Sequence, residues 1–188
     1  MSVRKPTSDD FTFDQNLREI PKDPAFITEA VKDLRTELLK ETDPQKRCRM
    51  FGELGVYLRT LGKLIEAEAA VAASLKLIQS EKLGVRLETQ QRIRFAHILQ
   101  MQRRFAESSA LFDEVLIACE DFREAFDLLD FAWQHTGKNY FDQGKYKEAL
   151  KAFNKALELR LEKESPQDQI DSTKLAIQET EKRIKAQG

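Results

Sequence analysis

The chain has no proline between Gln45 and Ser165, only two cysteines and two histidines, no long apolar run and almost no net charge. Each shortage excludes something. A proline-free stretch of that length can be helical throughout with only short turns. Cys48 and Cys119 stand far apart without a CxxC pairing, and with His97 and His135 they make too poor a set of soft ligands for a structural zinc, so no metal and no other cofactor is expected. No run reaches the roughly 18 apolar residues of a membrane span, and the N-terminal residues lack the apolar core of a secretory signal. No membrane association is therefore expected, and a cytoplasmic location is. Lys plus Arg number 31 against 32 for Asp plus Glu, so bulk electrostatics give nucleic acid no claim as a partner.

What is present is the vocabulary of helices with solvated outer faces: 34% charged and 41% hydrophobic residues in 188. The fold class expected is all-α. Self-similarity sets its organisation. The small residues Ala67, Ser108 and Ala149 fall 41 apart, as do Leu64, Phe105 and Tyr146, and Leu75, Leu116 and Leu157. Upstream, Phe51, Leu54, Gly55 and Leu58 superpose at the same interval on Arg92, Phe95, Ala96 and Leu99, and on Trp133, Thr136, Gly137 and Tyr140. Trp133, Gly137 and Tyr140 share one face of a first helix, and Tyr146, Ala149, Phe153, Ala156 and Leu157 one face of a second. Gly144 supplies the turn between them, and the small Gly137 and Ala149 permit close approach of the two backbones.

On those residues the third unit resembles a tetratricopeptide repeat: Trp133, Thr136 with Gly137, Tyr140, then Ala149, Phe153 and Ala156. Thr136 departs from the family's leucine, and Leu161 stands where its second helix usually ends in proline. The first unit keeps Leu54, Gly55, Gly62 and Ala67; the second, with Arg92, Ala96, Arg103 and Ser108, is degenerate and is placed by register with its neighbours. A period of 41 rather than about 34 adds about two helical turns, so the chain resembles the long-helix variety of the family. The resemblance implies a right-handed α-α superhelix of about eight helices. The repeats are expected at about 44–82, 85–121 and 123–164, behind an N-terminal helix at 24–41 and before a C-terminal cap helix at 167–186, all within one domain at 23–188. Residues 1–22 are expected to form an extended or disordered arm.

The resemblance also implies that first helices line a concave face and bind a protein or peptide there. The side of each first helix turned from its own partner gives stripes that include Arg49 and Arg59, Ile93 and His97, Phe131, Gln134, Lys138 and Phe141, and, on the cap, Lys182 opposed by Glu179. The positive surplus beside Phe131 and Phe141, expected as exposed anchors, suits an acidic or C-terminal peptide. A solvated face without a ligand is the plain alternative. The family's carboxylate clamp for chaperone tails is not expected, because Gly52, Val56, His97, Gln134 and Lys138 stand at its places and only Lys138 keeps the charge. No enzyme is expected: no carboxylate is set by spacing to serve His97, and His135 is read as a helix-edge residue. Phe11, Phe13 and Leu17 leave the arm two roles, a pseudo-ligand lying in the groove or a tail. The rival readings are a structural, self-associating repeat protein and a signal-peptide or small-ligand regulator.

Overall fold

The computed structural model describes residues 4–187; residues 1–3 of the expected arm and Gly188 lie outside the described residues. Eight helices follow a short hairpin among them: β1 (Phe11–Phe13) and β2 (Glu19–Pro21), then α1 (Pro24–Leu38), α2 (Pro44–Thr60), α3 (Leu64–Glu81), α4 (Val85–Met101), α5 (Phe105–Asp121), α6 (Leu129–Asp142), α7 (Tyr146–Glu162) and α8 (Gln167–Gln187). The pairs α2–α3, α4–α5 and α6–α7 pack as units, α1 lies on α2, α8 lies on α7, and α2, α4, α6 and α8 run side by side along the stack. No helix is long and apolar enough to cross a membrane among the described residues.

The helix starts and stops follow from local chemistry. Asp23 accepts hydrogen bonds from the backbone N–H groups of Ala25 and Phe26, and Asp43 accepts one from that of Lys46. In both helices proline fills the first helical position, where its missing N–H costs nothing. The turn inside each pair is the same left-handed cap repeated at the interval of 41. Lys63, Arg104 and Lys145 donate their N–H groups to the carbonyls of Leu58, Leu99 and Tyr140 at 2.8, 3.0 and 3.0 Å. The residue just before each donor has positive φ: 74° at Gly62, 64° at Arg103 and 73° at Gly144. Only the second repeat forces a side-chain-bearing residue into that conformation.

The pairs close where a side chain is missing. A Cβ on Gly137 would lie 2.6 Å from two ring carbons of Phe153, and one on Gly55 would lie 2.3 Å from the Val71 Cγ2. Ala67, Ala149 and Ala156 are fully buried on the facing helices. The degenerate second repeat meets the same demand with serine. Ser108 is fully buried and donates to the Ala96 carbonyl at 2.8 Å, so its hydroxyl bridges α5 to α4. Ser74 does likewise to the Cys48 carbonyl at 2.9 Å. Arg92, where the other repeats carry Phe51 and Trp133, ties Glu88 on its own helix to Glu114 on α5. Cys48 and Cys119 are fully buried and unpaired, packed as small apolar groups.

One feature departs from the expectation. Residues 123–128, expected inside the third repeat, leave the helical path: after an extended Phe122, Phe126–Leu128 form a single 3-10 turn, so α6 starts only at Leu129. Phe11–Pro21 of the arm form a hairpin, the extended one of the two forms expected for it. The overpacking cost sets a test of the pair geometry. Gly137→Ala gains helix propensity of about 1 kcal/mol, but the Phe153 ring is fully buried and has no room to withdraw. The expected net effect is a loss of about 1–3 kcal/mol, read as a lowered urea midpoint at unchanged helicity.

Candidate functional site

A two-stranded hairpin is at best marginal in water, so this one depends on what it lies against. Its strands pair Phe11 with Pro21, Thr12 with Ile20 and Phe13 with Glu19. The connecting loop is closed by Asp14, whose carboxylate accepts from the N–H groups of Asn16 and Arg18 at 2.8 and 2.9 Å. Leu17 adopts φ 61°, a costly conformation for a branched residue. The compensation is burial: Leu17 is 3% exposed and packs with Phe141, Ala149, Phe153 and Ala176, at the meeting of α6, α7 and α8. Arg18 next to it pairs with Asp142 at 3.0 Å, which also accepts from Gln100 of α4.

The hairpin's second strand carries Glu19 onto the face formed by α2, α4 and α6. One carboxylate oxygen accepts from the Arg59 guanidinium, and the other lies 4.0 Å from the Lys138 Nζ. Arg59 and Lys138 are 5% and 6% exposed. Burial by itself would raise the Glu19 carboxyl, but the two cations hold it well below the usual carboxylate range. Lys138 is pushed down by its own burial, with Glu19 opposing that shift. The Lys138 ammonium also sits 5.0 Å from the centroid of the Phe13 ring. His97 and His135 lie beside the same cluster with ring centroids 4.5 Å apart. Burial first, and then the neighbouring cations, depress both imidazoles well below their ordinary value, so both are neutral near pH 7.

Two cavities flank Glu19. One, of about 260 Å³, lies between the hairpin and α6 and α8; the other, of about 230 Å³, lies between the hairpin and α2 and α4. Phe131 and His135 line both. The residues expected to form the groove divide accordingly. Arg59, Ile93 and His97 face the second cavity, Gln134 and Lys138 the first, and Phe131 both. Phe141, expected as an exposed anchor, is 5% exposed beneath the hairpin loop, edge-on to Tyr146. Arg49 is exposed near the start of α2, beside Lys46 and Met50 and away from Glu19. His135 is not an edge residue; its ring lies tilted against that of His97, lining both cavities beside the hairpin. Glu19 itself escaped the sequence reading. The signal for it was an acid on an aromatic-rich arm, in a chain whose repeat face carried surplus lysine and arginine. Among the described residues no three His, Cys, Asp or Glu side chains form a metal-binding group.

The depressed imidazoles make stability depend on pH. The unfolded chain takes up two protons near the ordinary value of 6.5, while the folded protein refuses them until well below it. Over that interval the unfolded state binds more protons, so stability falls as pH drops below 6.5. Glu19 adds a second decline. Its contribution is complete above the ordinary 4.5 and is lost as pH falls through its lower folded value. Urea midpoints should be level above about pH 7 and fall between about pH 6.5 and 5. Since the chain has only these two histidines, His97→Gln with His135→Gln should flatten that upper decline and leave the lower one. A level profile for the parent protein across the upper interval would contradict the buried neutral pair.

Comparison with known proteins agrees with this architecture. The family model described as Tetratricopeptide repeat matches residues 91–162, the stretch from α4 through α7. No curated protein sequence matches the chain. Among solved structures, the apo form of RapI superposes with a TM-score of 0.66 at 13% identity, over 88% of this chain and 59% of RapI. The Rap conjugation gene regulator of the plasmid pLS20, solved in complex with the Phr* peptide, superposes with a TM-score of 0.60 at 13% identity, over 85% of this chain and 48% of the regulator. The chain thus spans about half to three-fifths of the length of these structures, and at such identity the likeness is one of fold. With its 41-residue register and its small-residue helix pairs, the chain is an all-α helical repeat protein that is similar to the tetratricopeptide repeat family over residues 91–162.

Proposed function

We propose that the chain is a binding scaffold whose first-helix face receives an acid-bearing peptide segment of another protein, and that its own N-terminal hairpin occupies that face as an internal stand-in. The observation that carries this reading is Glu19, an extended-strand carboxylate held between Arg59 of α2 and Lys138 of α6. Two buried cations on facing helices are costly without an anion. The chain supplies one from a segment too short to be stable alone, which is the kind of ligand a competing peptide can replace. The arm's anchoring through Leu17 and Phe13 adds the apolar contacts such a peptide would also need. The likeness in fold to a Rap regulator solved with a peptide supports the same direction. On this reading the apparent affinity for an incoming peptide is the intrinsic one reduced by the fraction of molecules whose hairpin has left.

The reading is tested with the full chain. Glu19→Arg places a third cation beside Arg59 and Lys138 and should expel the hairpin. A labelled peptide of residues 11–21, FTFDQNLREIP, should then bind the variant at least about tenfold more tightly than the parent protein, whose face is filled. The same peptide with glutamine at its Glu19 position should lose that advantage. A variant of unchanged helicity by circular dichroism that fails to bind the peptide would overturn the assignment.

A further inference from the structure

The cavity of about 260 Å³ beside Glu19 is a different feature from the face the hairpin covers, because the hairpin forms one of its walls. Ser8, Asp9, Phe11 and Phe13 close it on one side, α6 on another and the start of α8 on the third. Its polar atoms are unusually short of partners. The side-chain oxygens of Gln134 and Gln169 and the Nδ1 of His135 are buried with nothing to bond to. The Lys138 ammonium, on a side chain 7% exposed, has only the Glu19 oxygen 4.0 Å away, beyond hydrogen-bond reach, because the Arg59 guanidinium binds that carboxylate directly. Arg160, the other cation on the lining, donates through Nε to Asp130 and through Nη1 to the Gln169 carbonyl and to Thr173. Of the two, only Arg160 is held by hydrogen bonds, and the Lys138 ammonium makes none. Facing these groups are three phenyl rings, Phe11, Phe13 and Phe131.

A buried ammonium without a hydrogen bond, facing three phenyl walls, marks a ligand site, and the side-chain amides of Gln134 and Gln169 serve a carboxylate there through their NH2 donors, not through the unpaired oxygens. Water could serve the polar atoms but gains nothing from three phenyl walls. A bare inorganic anion could serve Lys138 but would strand the same walls. We propose that this cavity binds a small carboxylate with an aromatic-sized apolar body, its carboxylate on the Lys138 Nζ and its body between Phe11, Phe13 and Phe131. The exposed Asp9 and Asp168 at the rim disfavour a second negative charge on the ligand, which restricts it to a monoanion. Because the hairpin supplies a wall, such a ligand binds only while the hairpin is docked and stabilises that state by mass action. The proposal stands whether or not a peptide ever displaces the hairpin.

The test uses the full chain and three probes that step the chain length between ring and carboxylate: benzoate, phenylacetate and 3-phenylpropionate. Titration calorimetry should show at least one binding with a dissociation constant below about 1 mM, and Lys138→Met should weaken it by about tenfold or more. The matching neutral amide should bind weakly and equally to parent and variant, and acetate and inorganic phosphate should not compete. Phe13→Ala keeps every charge and should weaken the same probe by a similar factor, so it decides the matter if Lys138→Met does not fold. Failure of all three probes to bind, full affinity in either folded variant, or equal binding of acetate or phosphate would each overturn the site as assigned.

Discussion

Two helices can lie flat against each other only where a side chain has been taken away, and that steric condition governs everything built above it. Gly55 against Val71 and Gly137 against Phe153 leave no room for a methyl group. Ala67, Ser108 and Ala149 meet the same condition from the opposite helix of each pair. Once the pairs are closed this tightly, the 41-residue register brings α2, α4, α6 and α8 alongside one another. A face made of four helices then follows without further instruction. The second repeat shows how loosely the remaining positions are held. It replaces an aromatic with Arg92, a small apolar residue with Ser108 and a glycine with Arg103, and it still forms the pair because each polar group finds a partner or solvent.

On that face the governing physics changes from packing to charge. Arg59 and Lys138 are buried on the first helices of the first and third repeats, either side of α4, and the low-dielectric setting makes their mutual repulsion expensive unless an anion joins them. The hairpin answers with Glu19, and its own irregularities make sense only in that light. Leu17 tolerates a left-handed backbone because its side chain reaches the core of the third repeat, and Arg18 reaches Asp142. Each anchor lies on an element distant in sequence, so the strand pairing is held from outside. The imidazoles of His97 and His135 stay neutral in the same setting, since a proton on either would add another positive charge to a site already carrying two.

One carboxylate cannot fully serve two cations. Glu19 gives its hydrogen bond to Arg59 and leaves Lys138 with donors facing a cavity. The mismatch between what the hairpin covers and what the helices present is where the binding potential of this face resides, whether the incoming group is part of a peptide or a small carboxylate.

Sequence alone determined the helical class, the interval of 41, the small-residue contacts and the glycine turns, because each is a local property: a spacing on one helix face, or a backbone angle that one residue type tolerates. It also put Val56, His97 and Lys138 at matching places on successive first helices, with Arg59 one turn further along the first, since register carries over from one repeat to the next. It left open whether the arm was a tail or lay in the groove, and it misplaced Phe141 and His135. The hairpin has no periodicity to betray it, and its stability comes from contacts with residues more than a hundred positions away. Which cations are buried, which carboxylate reaches them and which donors remain unpaired are properties of the assembled face. Only the tertiary structure decided them, because burial and charge pairing depend on what lies opposite in space rather than on what lies adjacent in the chain.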